Sequence, residues 1–245
     1  MSRAILLSCL ALALAAGPAR GDAVVADLSS HRIAITSGFT GASIVLFGAT
    51  DGPGDIIAVV RGPEREMRVW RKDKIAGVWV NAESMTFTNV PSFYAVAASR
   101  PLDEVLSPGA AALNRVGTAN LKLESKPSMT GERVQRFAMA LIEEQQRAGL
   151  IGAKVGEIAF LGERLFRASI AFPANVPPGN YLVEVFLARD RDVVGGLKTP
   201  LLIEKVGIDA QVSDYARREA AAYGAIAVLT AVVAGWLASL PFRGV

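Results

Sequence analysis

One cysteine, Cys9, and one histidine, His31, are all the thiol and imidazole this 245-residue chain contains. Zinc sites of the usual kinds need several such ligands. A Ser-His-Asp triad would have to use His31, and no G-x-S-x-G turn is present to expose a nucleophile. His31 stands beside Ser29, Ser30 and Arg32, the setting of a solvated side chain. A phosphate-binding G-x-x-x-x-G-K-[ST] loop and a G-x-G-x-x-G fingerprint are also missing. Asp51-Gly52-Pro53-Gly54 reads instead as a hairpin turn. Carboxylates are plentiful, but nothing marks two of them as a hydrolytic pair. The chain reads as non-enzymatic, with no catalytic, cofactor-binding or metal-ligating residues.

Charge is absent from one long segment, and that absence is the strongest signal in the chain. Residues 220–240, AAAYGAIAVLTAVVAGWLASL, hold no acidic or basic residue. A helix of that length spans roughly 30 Å, the hydrocarbon thickness of a bilayer. Arg217, Arg218 and Glu219 close it on one side, Pro241, Phe242 and Arg243 on the other. Tyr215, Tyr223 and Trp236 lie near its ends, where amphipathic rings favour the headgroup level. A transmembrane helix is expected over 220–240, after a juxtamembrane stretch 211–219 and before a cytoplasmic tail 241–245.

The N-terminus has a short basic start with Arg3, the apolar run Ala4 to Ala16, and then the small or breaking residues Gly17 to Gly21. That run is too short to span a bilayer and suits a secretory signal, expected over 1–21. Its loss would remove Cys9 and leave no thiol in an oxidising compartment. Losing Arg3 and Arg20 would also bring the formal charge of +3 to about +1. A near-neutral chain lacks the basic footprint of a nucleic-acid binder, so no nucleic-acid partner is expected. This topology puts Arg217 and Arg218 outside, against the positive-inside tendency. A long domain already being translocated overrides that weak preference.

Between these ends short β-rich runs recur, separated by Gly, Pro or Asn. Strands are expected at Arg32–Thr36, Ala42–Ala49, Asp55–Arg61, Glu66–Lys72, Gly77–Asn81, Met85–Asn89 and Phe93–Ser99. A short helix is expected at Pro101–Leu106, with Ser107-Pro108-Gly109 breaking it inside a linker, 101–116. Strands are then expected at Val116–Glu124, Gly156–Leu161, Leu165–Phe172, Asn180–Arg189 and Val193–Glu204. Val134, Phe137, Ala138, Leu141 and Ile142 fall on one face of a helix over about 131–148, capped by Thr130 and ended by Gly149.

Two proline turns lead into tyrosines: Asn89-Val90-Pro91 before Tyr94, and Asn175 to Gly179 before Tyr181. This pattern suggests the tyrosine corner of immunoglobulin-like sandwiches. The fold expected is mainly β, one or two immunoglobulin-like β-sandwich domains. The first occupies 22–100, the second, with the inserted helix, 117–210.

Several segments carry a family resemblance. They include Phe39-Thr40-Gly41-Ala42 with Leu46-Phe47-Gly48-Ala49, Arg61-Gly62-Pro63 and Gly77-Val78-Trp79-Val80-Asn81. Further matches are Pro91 to Val96, Pro177-Pro178-Gly179-x-Tyr181, Thr199-Pro200-Leu201, Lys205-Val206-Gly207, Tyr223-Gly224 and Gly235-Trp236. With these residues the chain resembles an alphaproteobacterial family of transmembrane proteins of unknown function. The resemblance implies a signal peptide, a periplasmic region and one C-terminal transmembrane helix. It also hints at a sulfite-exporter-type permease, a transporter, as partner.

Two features suit binding. In the stretch Arg61–Lys74, a strand over 66–72 would put Arg68, Trp70 and Lys72 on one face, fit to meet an anion or anionic lipid heads. In the apolar stretch, Ala227, Ala231, Gly235 and Ser239 recur every four residues, a smooth stripe for helix packing. The expected role is an inner-membrane-anchored periplasmic accessory protein, in contact with membrane lipid and with an integral membrane partner. A periplasmic sensor or small-anion-binding module is the alternative, and an envelope scaffold protein the third.

Overall fold

The computed structural model describes residues 23–75, 77–126, 130–207, 224, 228–233, 235 and 236. The expected signal peptide, 1–21, and the tail, 241–245, lie outside the described residues.

The strands are β1 (Val24–Leu28), β2 (Arg32–Ile35), β3 (Gly41–Thr50), β4 (Asp55–Arg61), β5 (Glu64–Ile75), β6 (Val78–Pro91) and β7 (Tyr94–Ala98). After helices α1 (Leu102–Val105) and α2 (Pro108–Leu113) come β8 (Glu124–Lys126) and helix α3 (Glu132–Arg147). Four more strands follow: β9 (Gly156–Leu161), β10 (Leu165–Pro173), β11 (Gly179–Arg189) and β12 (Asp192–Lys205).

Nine strands form one sheet in the order β1-β3-β10-β9-β7-β4-β11-β12-β2. The sheet curls until β1 packs back against β11 and β12. Its inner face carries the main core, with Leu46, Ile56, Phe166, Val183, Leu187 and Ile203 each almost wholly buried. Gly48 is needed for this closure. A side chain there would meet the Val25 carbonyl oxygen at 2.3 Å and the Phe166 ring at 2.5 Å.

β4 explains the unbroken apolar run Ile56 to Val60. Ile56, Ala58 and Val60 face the main core, while Ile57 and Val59 face a second one with Tyr94, Val105, Leu106, Val116 and Ile151. A strand covered on both faces has no reason to alternate. The segment 101–121 supplies that second cover. Ser107 caps α2 by accepting from the Ala110 amide at 3.2 Å, so Ser107-Pro108-Gly109 starts a helix where a break was expected. Proline at the first helical position is why.

β5, β6 and β8 make a separate three-stranded sheet. α3 packs on it through Phe137 and Leu141, which meet Val69, Met85 and Phe87 in a third core. α3 matches the helix expected, although its N-terminal cap is Gly131, with no side-chain bond, rather than Thr130.

The mainly β expectation holds, but in place of the immunoglobulin-like sandwich there is one curled sheet, with parallel pairs β12–β2 and β7–β9. Strands of 22–100 and 117–210 pair directly, β3 with β10 and β4 with β11, and share the main core. The segment 101–116 follows β7 of that sheet and packs Val105, Leu106, Ala110 and Val116 into the second core. The turn Asp51 to Gly54 is not a hairpin: it carries the chain from β3 beside β1 and β10 to β4 beside β7 and β11. Val116–Glu124 is a short 3-10 turn, Thr118–Asn120, with strand beginning only at Glu124. β1 had no counterpart in the sequence expectations.

Among the described residues no helix is long and apolar enough to cross a membrane. Much of the expected span 220–240 lies outside them. Its described positions, Gly224, 228–233, Gly235 and Trp236, have helical backbone.

Candidate functional site

The long β5–β6 hairpin has two chemically different faces. Opposite residues in an antiparallel pair share a face, so the register assigns each side chain. Met67 opposite Phe87, Val69 opposite Met85 and Arg71 opposite Glu83 form the inner face beneath α3. Arg68 opposite Thr86, Trp70 opposite Ser84 and Lys72 opposite Asn81 form the outer face. Lys74 follows on the outer face, directly opposite Trp79.

Asp73 and Glu83 sit on the inner side, whereas Glu66 alternates with Arg68 onto the outer face and pairs there with Lys126 at 3.2 Å. Glu83 lies 3.6 Å from Arg71 and 3.5 Å from Arg133 of α3, and Asp73 lies 3.9 Å from Arg71. A groove of about 450 Å³ opens here, lined by Trp70, Arg71, Glu83, Arg133, Arg136 and Phe137. On the outer face Arg68 lies over the Trp70 ring, 5.7 Å from its centroid, and donates to the Thr86 hydroxyl at 3.2 Å. Among the described residues neither Lys72 nor Lys74 has an acidic partner. Trp70 is 49% exposed and Trp79 67%. The structure thus brings Arg68, Trp70 and Lys72 together as the alternation implied, and it adds Lys74 and Trp79.

Trp79 could not be placed from sequence. A register shift between Arg71 and Lys72 opposes three residues, Asn81 to Glu83, to those two and so changes the parity of β6. Such a bulge re-aims the side chains beyond it. It also joins Gly77–Asn81 and Met85–Asn89, expected as two strands, into one.

A second surface lies on the outer side of the large sheet. Val25, Ala49, Leu165 and Leu161 follow one another across β1, β3, β10 and β9 in direct register. Val25, Leu165 and Leu161 are each more than half exposed, and Phe47 beside them nearly so. An apolar row across four strands is more than a scatter of single exposed residues. Its only sequence signal is the apolar pair Val24-Val25, one residue for each face.

Arg61 anchors a buried polar network. It pairs with Glu184, which Lys198 also meets at 2.9 Å, and donates to the carbonyls of Asn114 and Arg115, both at 3.0 Å. Burial pushes the Arg61 guanidinium below the usual arginine range. Tyr94 donates to the Arg115 carbonyl at 3.1 Å and accepts from the Gly117 amide at 2.9 Å. Burial raises its phenol. Tyr181 donates to the Pro177 carbonyl four residues upstream, at 2.5 Å, as a tyrosine corner does. Burial pushes its phenol up to about 12. Of the two tyrosines matched by sequence, Tyr181 makes the corner, whereas Tyr94 ties the α2 segment to the sheet.

His31 Nε2 lies 2.8 Å from the Asp27 carboxylate at an exposed site. Among the described residues no three metal-ligating side chains converge. Ala231 and Gly235 lie four apart on helical backbone, while Ala227 and Ser239 lie outside the described residues.

These features define a mainly β module whose distinctive chemistry is spread over surfaces: a basic, aromatic ribbon and an apolar row. The family described as "Putative transmembrane protein" (Alph_Pro_TM) matches residues 23–244, and the chain belongs to that alphaproteobacterial family. Comparison with curated proteins gives no match.

Proposed function

We propose that the protein is a non-enzymatic accessory protein of the inner membrane. Residues 220–240 hold it as a single span, the β module stands in the periplasm, and the tail 241–245 is cytoplasmic. The module serves an integral membrane partner, with a sulfite-exporter-type permease the candidate that the family resemblance suggests.

One observation supports this reading above the others. Val228, Leu229, Val232, Val233 and Trp236 lie on helical backbone, and each is more than half exposed. Large apolar side chains clustered this way are stable only against another apolar phase, hydrocarbon or a partner helix. The small residues Ala231 and Gly235 suit close approach of a second helix. The apolar row Val25, Leu165 and Leu161 offers a contact for the partner's periplasmic side.

Co-purification from detergent extracts tests the reading. An integral membrane protein should accompany the full chain and be lost when residues 213–245 are exchanged for an unrelated span. Ala231→Leu with Gly235→Leu should weaken the complex. An unchanged complex in both variants would rule out partner contact through the span.

A small-anion-binding module is the second reading, favoured by the groove in which Arg71, Arg133 and Arg136 surround the single acid Glu83. Thermal stabilisation of the full chain by sulfate or phosphate, removed by Arg136→Ala, would support it.

A further inference from the structure

We propose that the outer face of the β5–β6 hairpin, Arg68, Trp70, Lys72, Lys74 and Trp79, docks on the anionic lipid surface of the membrane that anchors the chain. The proposal rests on the membrane-anchored reading above.

The composition of the face points to lipid. It combines three cations with two exposed indoles; Asp73 and Glu83 are turned to the opposite side, and Glu66, on the same face beside Arg68, is matched by Lys126 at 3.2 Å. Lysine and arginine are drawn to an anionic bilayer surface, and tryptophan settles at headgroup level, its ring partly in the acyl boundary. A solvated edge explains only part of this. β5 is an edge strand of its sheet, and charges on an edge prevent pairing with other chains. That purpose accounts for the lysines, but it gives no reason for two large indoles on the same face as the cations.

Topology brings the face within reach of the bilayer. Leu182 of β11 pairs with Arg61, the last residue of β4, and Gly179 of β11 pairs with Ile203, near the end of β12. The hairpin therefore begins at the same end of the sheet from which the chain leaves towards residues 220–240. The twelve residues of β5 reach roughly 40 Å at strand rise. Residues 206–219, fully extended, would span at most roughly 50 Å. The two lengths match well enough for the hairpin to touch the surface while the chain enters the membrane.

The chain's three tryptophans are Trp70, Trp79 and Trp236, so a Trp236→Phe background leaves only the hairpin indoles to emit. The full-length chain is reconstituted into phosphatidylcholine vesicles with or without phosphatidylglycerol, each with plain or brominated acyl chains. Flotation first scores anchoring. Brominated lipid should quench the emission strongly only when phosphatidylglycerol is present, and added salt should weaken the effect.

Lys72→Glu with Lys74→Glu should abolish the lipid-dependent quenching, since each basic residue near such a surface contributes about fivefold in partitioning. Trp79→Ala should lower it with the fold intact, because Trp79 lies in no core. A chain that floats but is equally unquenched in both lipids overturns the docking and leaves anchoring standing. Quenching unaffected by the lysine reversals overturns its electrostatic basis. Quenching relieved by inorganic phosphate at constant ionic strength makes this an anion site and overturns a membrane one. A chain that fails to float overturns both the docking and the anchoring on which it rests.

Discussion

Arg61 and Glu184 meet diagonally across β4 and β11 as an ion pair whose side chains are only 21% and 8% exposed. Direct pairing places Arg61 opposite Leu182, so Glu184 is the next residue on the same face. The guanidinium also lies 5.9 Å from the Tyr94 ring centroid and donates to the two carbonyls at the end of α2. One side chain thus joins the central strands to the segment covering them. Removing one partner of a buried pair leaves the other charged and unmatched. Arg61→Ala should destabilise the protein by about 3–5 kcal/mol, read by chemical denaturation of the detergent-solubilised chain. Arg61→Met with Glu184→Leu should recover much of the loss, because no charge is then stranded. Equal losses in the single and double variants would contradict this.

The two buried tyrosines should give the protein an alkaline limit. A phenol whose folded pKa is raised contributes stability that is complete below its unfolded value near 10 and lost as pH rises through the folded value. For Tyr181 the window runs from about 10 to about 12. Tyr181→Phe should cost about 1 kcal/mol near neutral pH, the worth of its bond to Pro177, and flatten the decline above pH 10. Tyr94→Phe should cost more, because it strands the Gly117 amide and takes from the Arg115 carbonyl one of its two donors, the other being Arg61. Thermal melts across the alkaline range give both numbers. An alkaline decline unchanged in Tyr181→Phe would refute the assignment.

The third core should be separable from the other two. Phe137 and Leu141 are the buried side chains by which α3 holds the hairpin. Phe137→Ala should cost about 3–5 kcal/mol, felt mainly in that small core. Hydrogen exchange should then show β5 and β6 losing protection while β4 and β11 keep theirs. Loss spread evenly over both sheets would mean that the hairpin and the large sheet unfold as one unit.

Several parts of this architecture were readable from local pattern. α3 follows from its apolar spacing, and β4 and β9 match the expected ranges because turn residues bound them. The alternation Arg68, Trp70, Lys72 gave one face of the ribbon. What was missed depends on distance along the chain. Ser43 meets Ser169 diagonally across β3 and β10, hydroxyl to hydroxyl at 2.8 Å, a contact 126 residues apart that no local signal announces. The pairings of β3 with β10 and of β4 with β11 were hidden for the same reason, since each half of the sequence looked complete by itself. Trp79 was hidden by a bulge, which changes parity without changing composition. Arg61 stood out only as one of several basic residues, since its burial comes from Glu184, far along the sequence.

Location tests the whole account most directly. Membranes from cells producing the full-length chain are washed with alkaline carbonate, and intact spheroplasts are treated with protease in parallel. The chain should stay with the washed membranes until detergent releases it, and protease should remove the region 22–212 without breaking the cells. A chain found in the carbonate supernatant, or a β module that protease spares in spheroplasts and digests only after lysis, would contradict the account.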